Sequence, residues 1–280
     1  MAGYKLLDSG DFQKYEQIGH LKIVRPAAQA VWKPALKSWS PDVSFIRESA
    51  QGGRWEPKSA VPEPWSFAIG DLKLEANLTG FGHVGAFPEH HAWGAMRHAI
   101  RGFKRPFRLL HLFAYTGAVT LEAARLGAEV VHVDASKSSV QWARKNAELS
   151  GLSDAPIRWI VDDARKFVNR EAQRGRTYDG VILDPPSFGR GAKGQVWKIE
   201  EDLRLLLEDI AKLRSDEFAF MQLSCHTPGW TPMSLENLLR EISDKGIFKS
   251  FEMSVPETGN KRGFALPSGT CAQWFLRDPE

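Results

Sequence analysis

Cysteine is scarce, with only Cys225 and Cys271 in a chain of 280 residues. So few thiols argue against a disulfide framework, and the lack of any Cys-x-x-Cys or His-x-x-x-His spacing argues against zinc. His83, His90 and His91 form the densest histidine group, but no thiol lies near them, so no metal is expected. No apolar run is long enough to cross a membrane, and the start Met1-Ala2-Gly3-Tyr4-Lys5-Leu6-Leu7-Asp8 lacks the apolar core of a signal peptide. The expectation is a cytosolic protein without membrane association. Charge is small too: a net +3 does not by itself announce a nucleic-acid partner. Internal repeats and low-complexity tracts are missing. The length leaves room for one α/β domain of about 170–180 residues plus something smaller.

What is present begins with Leu110-His111-Leu112-Phe113-Ala114-Tyr115-Thr116-Gly117. It leads through a helical stretch, Ala118 to Leu126, and a glycine stop at Gly127 to Val131-His132-Val133-Asp134. The pattern is strand, tight turn, helix, and a second strand ending in an acid, which is half of a nucleoside-binding α/β fold. A carboxylate there can accept two hydrogen bonds from a ribose diol and would repel a phosphate. The turn has one glycine instead of the three of the dinucleotide fingerprint, so adenosine without phosphates fits better than a pyrophosphate. The alternative is that Asp134 only caps the next helix and Gly117 only relieves a turn.

Three more strands end in reactive side chains. Ile157-Arg158-Trp159-Ile160-Val161 runs into Asp162-Asp163-Ala164, where a carboxylate or backbone group can take an adenine amine; Asp163 is the expected contact, and Asp162 is equally suited to cap a helix. Tyr178-Asp179-Gly180-Val181-Ile182-Leu183 runs into Asp184-Pro185-Pro186-Ser187-Phe188. The two prolines force the chain out of the sheet, and their carbonyls are expected to be unpaired. Phe218-Ala219-Phe220-Met221-Gln222-Leu223-Ser224 ends in Cys225-His226. In open α/β sheets ligands bind at the carboxyl ends of strands, and these residues all lie there.

These segments together resemble the class I S-adenosylmethionine (SAM) dependent methyltransferases. More narrowly, they resemble the group that holds the large-subunit rRNA cytosine-C5 methyltransferases. Gly82-His83-Val84-Gly85-Ala86-Phe87-Pro88-Glu89-His90 looks like that group's Gly-x-Phe-x-Asp-Gln segment, with Glu89 at the acid and His90 in place of Gln. Ala265-Leu266-Pro267-Ser268-Gly269-Thr270-Cys271 leads into a last strand as in those enzymes. The resemblance covers roughly residues 72–277. It implies a Rossmann-like α/β sheet of seven strands, the last antiparallel, with SAM as cofactor and RNA, most naturally rRNA, as substrate. By the same resemblance Phe113, Ala114, Tyr115, Thr116 and Gly117 wrap the methionine part of SAM. Asp134 with Ala135 holds the ribose, Asp163 takes the adenine amine beside Asp162, and Asp184 with Pro185 borders the reacting end. Lys137 and Asn146, on the following helix, receive no role.

Cytosine C5 is a poor nucleophile until a thiolate adds to C6, so that chemistry needs a cysteine at the sheet edge. The resemblance puts Cys225 there as nucleophile, with Asp184 hydrogen-bonding the base. His226 is adjacent in sequence, but neighbouring strand residues face opposite ways, so it need not assist the thiol. Some cytosine-C5 enzymes carry a second cysteine where Ser187 stands here. Asp-Pro-Pro also serves enzymes that methylate amines without a covalent step, with an aromatic directly afterwards; here Phe188 comes one place late. Two further readings therefore stand beside cytosine C5. One is nitrogen transfer to RNA or protein through Asp184 and Pro185; the other is a SAM-binding RNA adaptor without catalysis, in which Cys225 only packs. Cys271, inside an apolar run, is expected to be packing.

The division expected is 1–80, a small β-rich domain of proline-broken strands, and 81–280, the methyltransferase domain. The front part lacks the RNA-binding module usual in the rRNA group. Trp32, Trp39, Trp55 and Trp65 crowd into it, as core or as base-stacking platforms. Residues 97–108 hold five Lys/Arg and no acid, either a solvated helix end or an RNA contact. A second basic stretch, 189–198, follows Asp-Pro-Pro with three glycines, suiting phosphate contact or lid closure. Apolar helices are expected over 199–213 and 232–245, the latter with a stripe of Met233, Leu235, Leu238, Leu239 and Ile242.

Overall fold

The structure is a computed structural model that describes residues 3–49, 52–58, 60–62, 64–91, 94–190, 194 and 196–277. Gly191, Ala192, Lys193 and Gln195 of the second basic stretch lie outside the described residues, as do the side chains of His90 and His91. The chain divides into two compact units, Met1–His91 with Ser254–Ser268, and Ala92–Met253 with Gly269–Glu280. The first unit thus extends past residue 80 and recruits a segment from far along the chain.

The first unit is β-rich. β1 (Tyr4–Gly10), β2 (Gln13–Ile18), β3 (Leu21–Pro26), β4 (Val43–Ser49) and β5 (Gly52–Pro57) form one sheet in that order, and β6 (Trp65–Ile69) pairs with β7 (Leu72–Ala76) as a hairpin. Alternation explains the hairpin: Trp65, Phe67, Ile69, Leu72, Leu74 and Ala76 are all buried on one face. Asp8 is fully buried and joins distant segments. Its carboxylate accepts from the backbone N–H groups of Ala35 and Leu36 at 3.1 and 2.9 Å, from Trp39 Nε1 at 2.8 Å and from Asn260 Nδ2 at 3.2 Å. The tryptophans are hydrogen-bonded within the unit. Each donates its indole N–H inside the unit: Trp32 to Ser9, Trp39 to Asp8, Trp55 to Thr79 and Trp65 to Ile18. Tyr15 stacks on Trp39 at 5.5 Å, and Phe45 packs on Trp55 at 4.9 Å.

The second unit alternates helix and strand. Its elements are α1 (Gly94–Arg101), β8 (Arg108–Leu112), α2 (Ala118–Arg125), β9 (Glu129–Asp134), α3 (Lys137–Leu149), β10 (Ile157–Val161), α4 (Ala164–Gln173) and β11 (Gly180–Leu183). A short hairpin of β12 (Phe188–Arg190) and β13 (Val196–Lys198) follows, then α5 (Ile199–Ala211), β14 (Phe220–Cys225), α6 (Pro232–Ile242), β15 (Ile247–Pro256) and β16 (Ala265–Phe275). The seven-stranded sheet has the order β10-β9-β8-β11-β14-β16-β15. Strands β10 to β14 are parallel and β16 runs antiparallel to β14. Every residue of β11 is buried, as are Leu109, Leu110 and Leu112 of β8, the continuous apolar pattern of parallel strands covered on both faces. One core cluster packs Leu110, Val181, Leu183 and Leu223 against Phe167 of α4, Leu203, Leu206, Leu207 and Ile210 of α5 and Leu235 and Leu239 of α6. Each such leucine contributes ~2 kcal/mol by leaving water.

Both late helices stop short of their expected ends, at Ala211 and Ile242. Met233 is 71% exposed, so it does not belong to the α6 stripe, whose buried members are Leu235 and Leu239, one turn apart. The basic stretch before β8 is largely neutralised. Arg97 pairs with buried Glu122 at 2.7 Å, Arg105 grips Asp179 through two bonds of 2.6 and 2.9 Å, and Arg108 also meets Asp179. Burial alone would raise the Asp179 pKa, but bonds from Arg105, Arg108 and Ser215 hold it well below the usual carboxylate range. This pairing favours a structural role for the stretch.

Candidate active site

The chain moves outward from β8 to β9 and β10, then returns to place β11 on the other side of β8. Such a reversal opens a crevice at the carboxyl ends of β8 and β11. The loop after β8 forms one wall. Phe113, Tyr115 and Gly117 have φ of 54°, 49° and 83°. Left-handed residues other than glycine cost on the order of 1 kcal/mol each and persist only where neighbours hold them. Here Ala114 N–H bonds the Val133 carbonyl at 3.1 Å, Tyr115 N–H bonds Asp134 at 2.8 Å, and Asn146 Nδ2 donates to the Thr116 carbonyl at 2.9 Å. Asn146 is fully buried and braces the loop from α3. A Cβ on Gly117 would come within 3.0 Å of the Ala143 Cβ, so with φ of +83° glycine at 117 lets α3 lie close against the turn.

Asp134, at the end of β9, accepts from the N–H groups of Tyr115 and Ser136, both at 2.8 Å. Burial raises its pKa and those two bonds lower it in part; among the described residues no cation shares the charge. A carboxylate offers about four lone-pair positions, so about two remain for outside donors. A ribose diol supplies two, and in this respect the residues present fit SAM. The helix after Asp134 is capped by Ser136, which accepts from Ser139 N–H at 3.2 Å. Asp163 caps α4 through one oxygen, accepting from Lys166 N–H at 2.9 Å. Asp162 accepts from Asp163 N–H at 2.9 Å and pairs with Arg170. The cap at this acidic pair is therefore Asp163, not Asp162.

The other wall starts at Asp184. Ser224 Oγ donates to its Oδ1 at 2.8 Å, and His226 Nε2 stands 3.7 Å from Oδ2. Ser187 and Thr227 join hydroxyls at 2.8 Å, tying the turn after β11 to the turn after β14. The prolines differ from expectation. The Pro186 carbonyl is not unpaired but accepts from Trp197 Nε1 at 2.7 Å, whereas no donor among the described residues reaches that of Pro185. The Trp197 ring meets Phe113 at 4.9 Å, linking the β12–β13 hairpin to the loop after β8. Phe188 is 53% exposed.

The Cys225 side chain faces away from Ser224, and its thiol accepts from Thr227 N–H at 3.4 Å. Residues 224 and 226 point to one side of β14 and 225 to the other, where Cys225 is buried with Met221, Leu223, Leu235 and Leu239. It is 1% exposed. Burial pushes its thiol pKa up, hydrogen bonding from Thr227 lowers it in part, and the Asp184 charge raises it further. A group so placed is a poor source of thiolate. Cys271 is buried too, with its thiol pushed up by burial. Ser224 belongs to the Ser224-Cys225-His226 segment without a role of its own there, Asn146 received none, and Thr227 carried no motif signal. Only the period of two, counted back from Cys225, marks Ser224 as sharing a face with His226. A cleft of about 820 Å³ lined by His98, Phe103, Lys104, Arg105 and Arg277 lies at the amino edge, away from these groups.

Residues 94–231 match the family described as conserved hypothetical protein 95. Among curated relatives, the ribosomal RNA large subunit methyltransferase K/L of Cellvibrio japonicus is 29% identical over 243 residues, 84% of this chain and 28% of the relative. That of Pseudomonas aeruginosa is 32% identical over 217 residues, 73% of this chain and 29% of the relative. This chain thus spans under a third of the length of either. A solved structure, the SAM dependent methyltransferase from Agrobacterium tumefaciens, superposes with a TM-score of 0.93 at 37% identity, covering 99% of this chain and 91% of that one. With that identity over nearly the whole of both chains, this protein belongs to the class I SAM-dependent methyltransferases and takes SAM as its cofactor.

Proposed function

We propose that this chain methylates a nitrogen of an RNA base by direct transfer, with Asp184 and the Pro185 carbonyl receiving the target amine. The observation that carries the reading is a contrast at two strand ends. Asp184 is held at the crevice by Ser224 at 2.8 Å, while the thiol a covalent C5 route requires, that of Cys225, is 1% exposed in an apolar cluster. RNA as substrate is supported by the names of the relatives, which act on large-subunit ribosomal RNA. In this reading Phe113 to Gly117 wrap the methionine part of SAM, Asp134 with Ala135 holds the ribose, and Asp163, through its second oxygen, faces the adenine amine beside Asp162. Bound SAM supplies an electrophilic methyl group on a sulfonium. Asp184 draws electron density onto the target nitrogen by accepting its hydrogen bond, and the Pro185 carbonyl orients the amine toward the methyl. A base in folded RNA must leave its stack to reach them.

The test is methyl transfer from labelled SAM to total RNA and, separately, to total protein of a strain lacking the gene, followed by nucleoside and residue analysis. Label in an N-methylated nucleoside supports the proposal. Label in 5-methylcytidine, lost in Cys225→Ala, restores the covalent route. Label in protein removes RNA as substrate, and SAM binding with no transfer to either pool leaves an adaptor.

A further inference from the structure

The imidazole of His226 is lodged between two neighbours. On one side its Nε2 is 3.7 Å from Asp184 Oδ2. On the other lies Gly269 of β16, where a Cβ would stand 2.7 Å from Nδ1 and 2.9 Å from the Cys225 carbonyl. Gly269 has φ of +91°, so backbone and space both select glycine there. The side chain is 34% exposed, which gives the ring contact with both Asp184 and solvent.

We propose that His226 acts through Asp184 as the proton outlet of the site. The inference rests on direct transfer to an amine bearing hydrogen. As the new C–N bond forms, the S–CH3 bond breaks and its electron pair stays on sulfur, leaving S-adenosylhomocysteine. The methylated nitrogen then carries one proton too many. Asp184 accepts that proton, His226 Nε2 takes it from the carboxyl, and the exposed ring releases it to water. A separation of 3.7 Å closes to hydrogen-bond length with a small ring rotation, and catalytic bonds of this kind are often long before the substrate arrives. Ser224 keeps Oδ1 engaged, so Oδ2 is the oxygen turned to the ring. Several groups lie around the ring. From β16 come the backbone of Gly269 and the Thr270 hydroxyl, which donates to the Cys225 carbonyl at 3.4 Å. From β14 come Ser224 and the Cys225 thiol, which points to the opposite face. Thr227 and Ser187 bond each other, and Glu200 of α5 acts on the thiol.

Two measurements test this. In the ligand-free protein, the NMR signals of the His226 ring should shift in Asp184→Asn, because the carboxylate neighbours the imidazole. In turnover, wild-type kcat should rise with pH as the proton acceptor becomes available. His226→Gln should lose this limb and ~100-fold in kcat, with KM for RNA within about threefold. Unchanged His226 ring signals in Asp184→Asn overturn the pairing even if the glutamine variant fails to fold. A glutamine variant that retains the pH limb and its rate overturns the proton role. Product analysis separates this from the underlying reading: 5-methylcytidine, or a product from a nitrogen without hydrogen, ends the amine assignment whatever His226 does.

Discussion

Ser224 donates a 2.8 Å hydrogen bond to Asp184 from the face of β14 opposite to the one that buries Cys225. One strand thereby supplies a polar partner to the crevice and an apolar filler to the core within two consecutive residues. Replacing Asp184 with Asn should lower kcat ~100-fold or more while SAM affinity stays close to wild type. Ser224→Ala should cost ~10-fold, since a bond to a charged acceptor is lost. Single-turnover kinetics with calorimetric SAM titration would show both; a fully active Asp184→Asn enzyme would remove the carboxylate from the mechanism.

Cys225→Ala should leave kcat within about twofold of wild type. Its cost should appear in stability, about 1 kcal/mol from lost packing. Urea unfolding and turnover on the same preparation separate the two effects, and loss of activity without loss of stability would point back to a covalent role.

Asp134→Ala removes the acceptor for Tyr115 N–H as well as two lone-pair positions open to a diol. SAM binding should weaken ~100-fold, with RNA affinity changed far less. Gly117→Ala should weaken SAM binding too and destabilise the fold by about 1–2 kcal/mol, because φ is +83° and α3 stands 3.0 Å from the new methyl. Isothermal titration and thermal melts report these, and an unperturbed SAM affinity in both variants would displace the cofactor from this crevice.

His132 is fully buried, with Nδ1 2.9 Å from the Thr120 hydroxyl and Nε2 unpartnered among the described residues. Burial first, then the nearby His111, depresses its pKa well below the ordinary 6.5. The unfolded chain therefore binds a proton that the folded one refuses. His132 favours folding fully above pH 6.5, and that contribution falls away as pH drops below it, by about 1.4 kcal/mol per unit until the depressed folded value is reached. Urea midpoints at several pH values between 8 and 5, in wild type and His132→Gln, should show a slope that flattens in the variant. Equal slopes would mean that His132 does not carry the acid sensitivity.

Legibility from the sequence follows the range of the forces. β8, β9 and β11 were readable because strands buried on both faces are mostly apolar. The turn at Gly117 and the acid at Asp134 were readable because a nucleoside site places them at set offsets along one strand-helix-strand unit. Asp163 as cap was not, since Asp162 and Asp163 are chemically equal and only the helix geometry selects one. The partners of Arg97, Arg105 and Arg108 were hidden for a similar reason: Glu122 and Asp179 approach them only after the sheet has formed. Residues 254–268 joined the first unit for reasons no local pattern carries, as Asn260 and Arg262 bond to Asp8 across some 250 positions of chain.

By itself the sequence determined the α/β core, the strand ends at which Asp134, Asp184 and Cys225 stand, and the adenosine-type cofactor, because periodicity, glycine turns and strand-end acids act over a few residues. Only the tertiary structure decided which side chains at that edge meet. Ser224 and His226 reach Asp184 while Cys225 is sealed beneath α6, because the facing of a strand residue depends on which helices cover each side of the sheet, and that is settled by long-range packing.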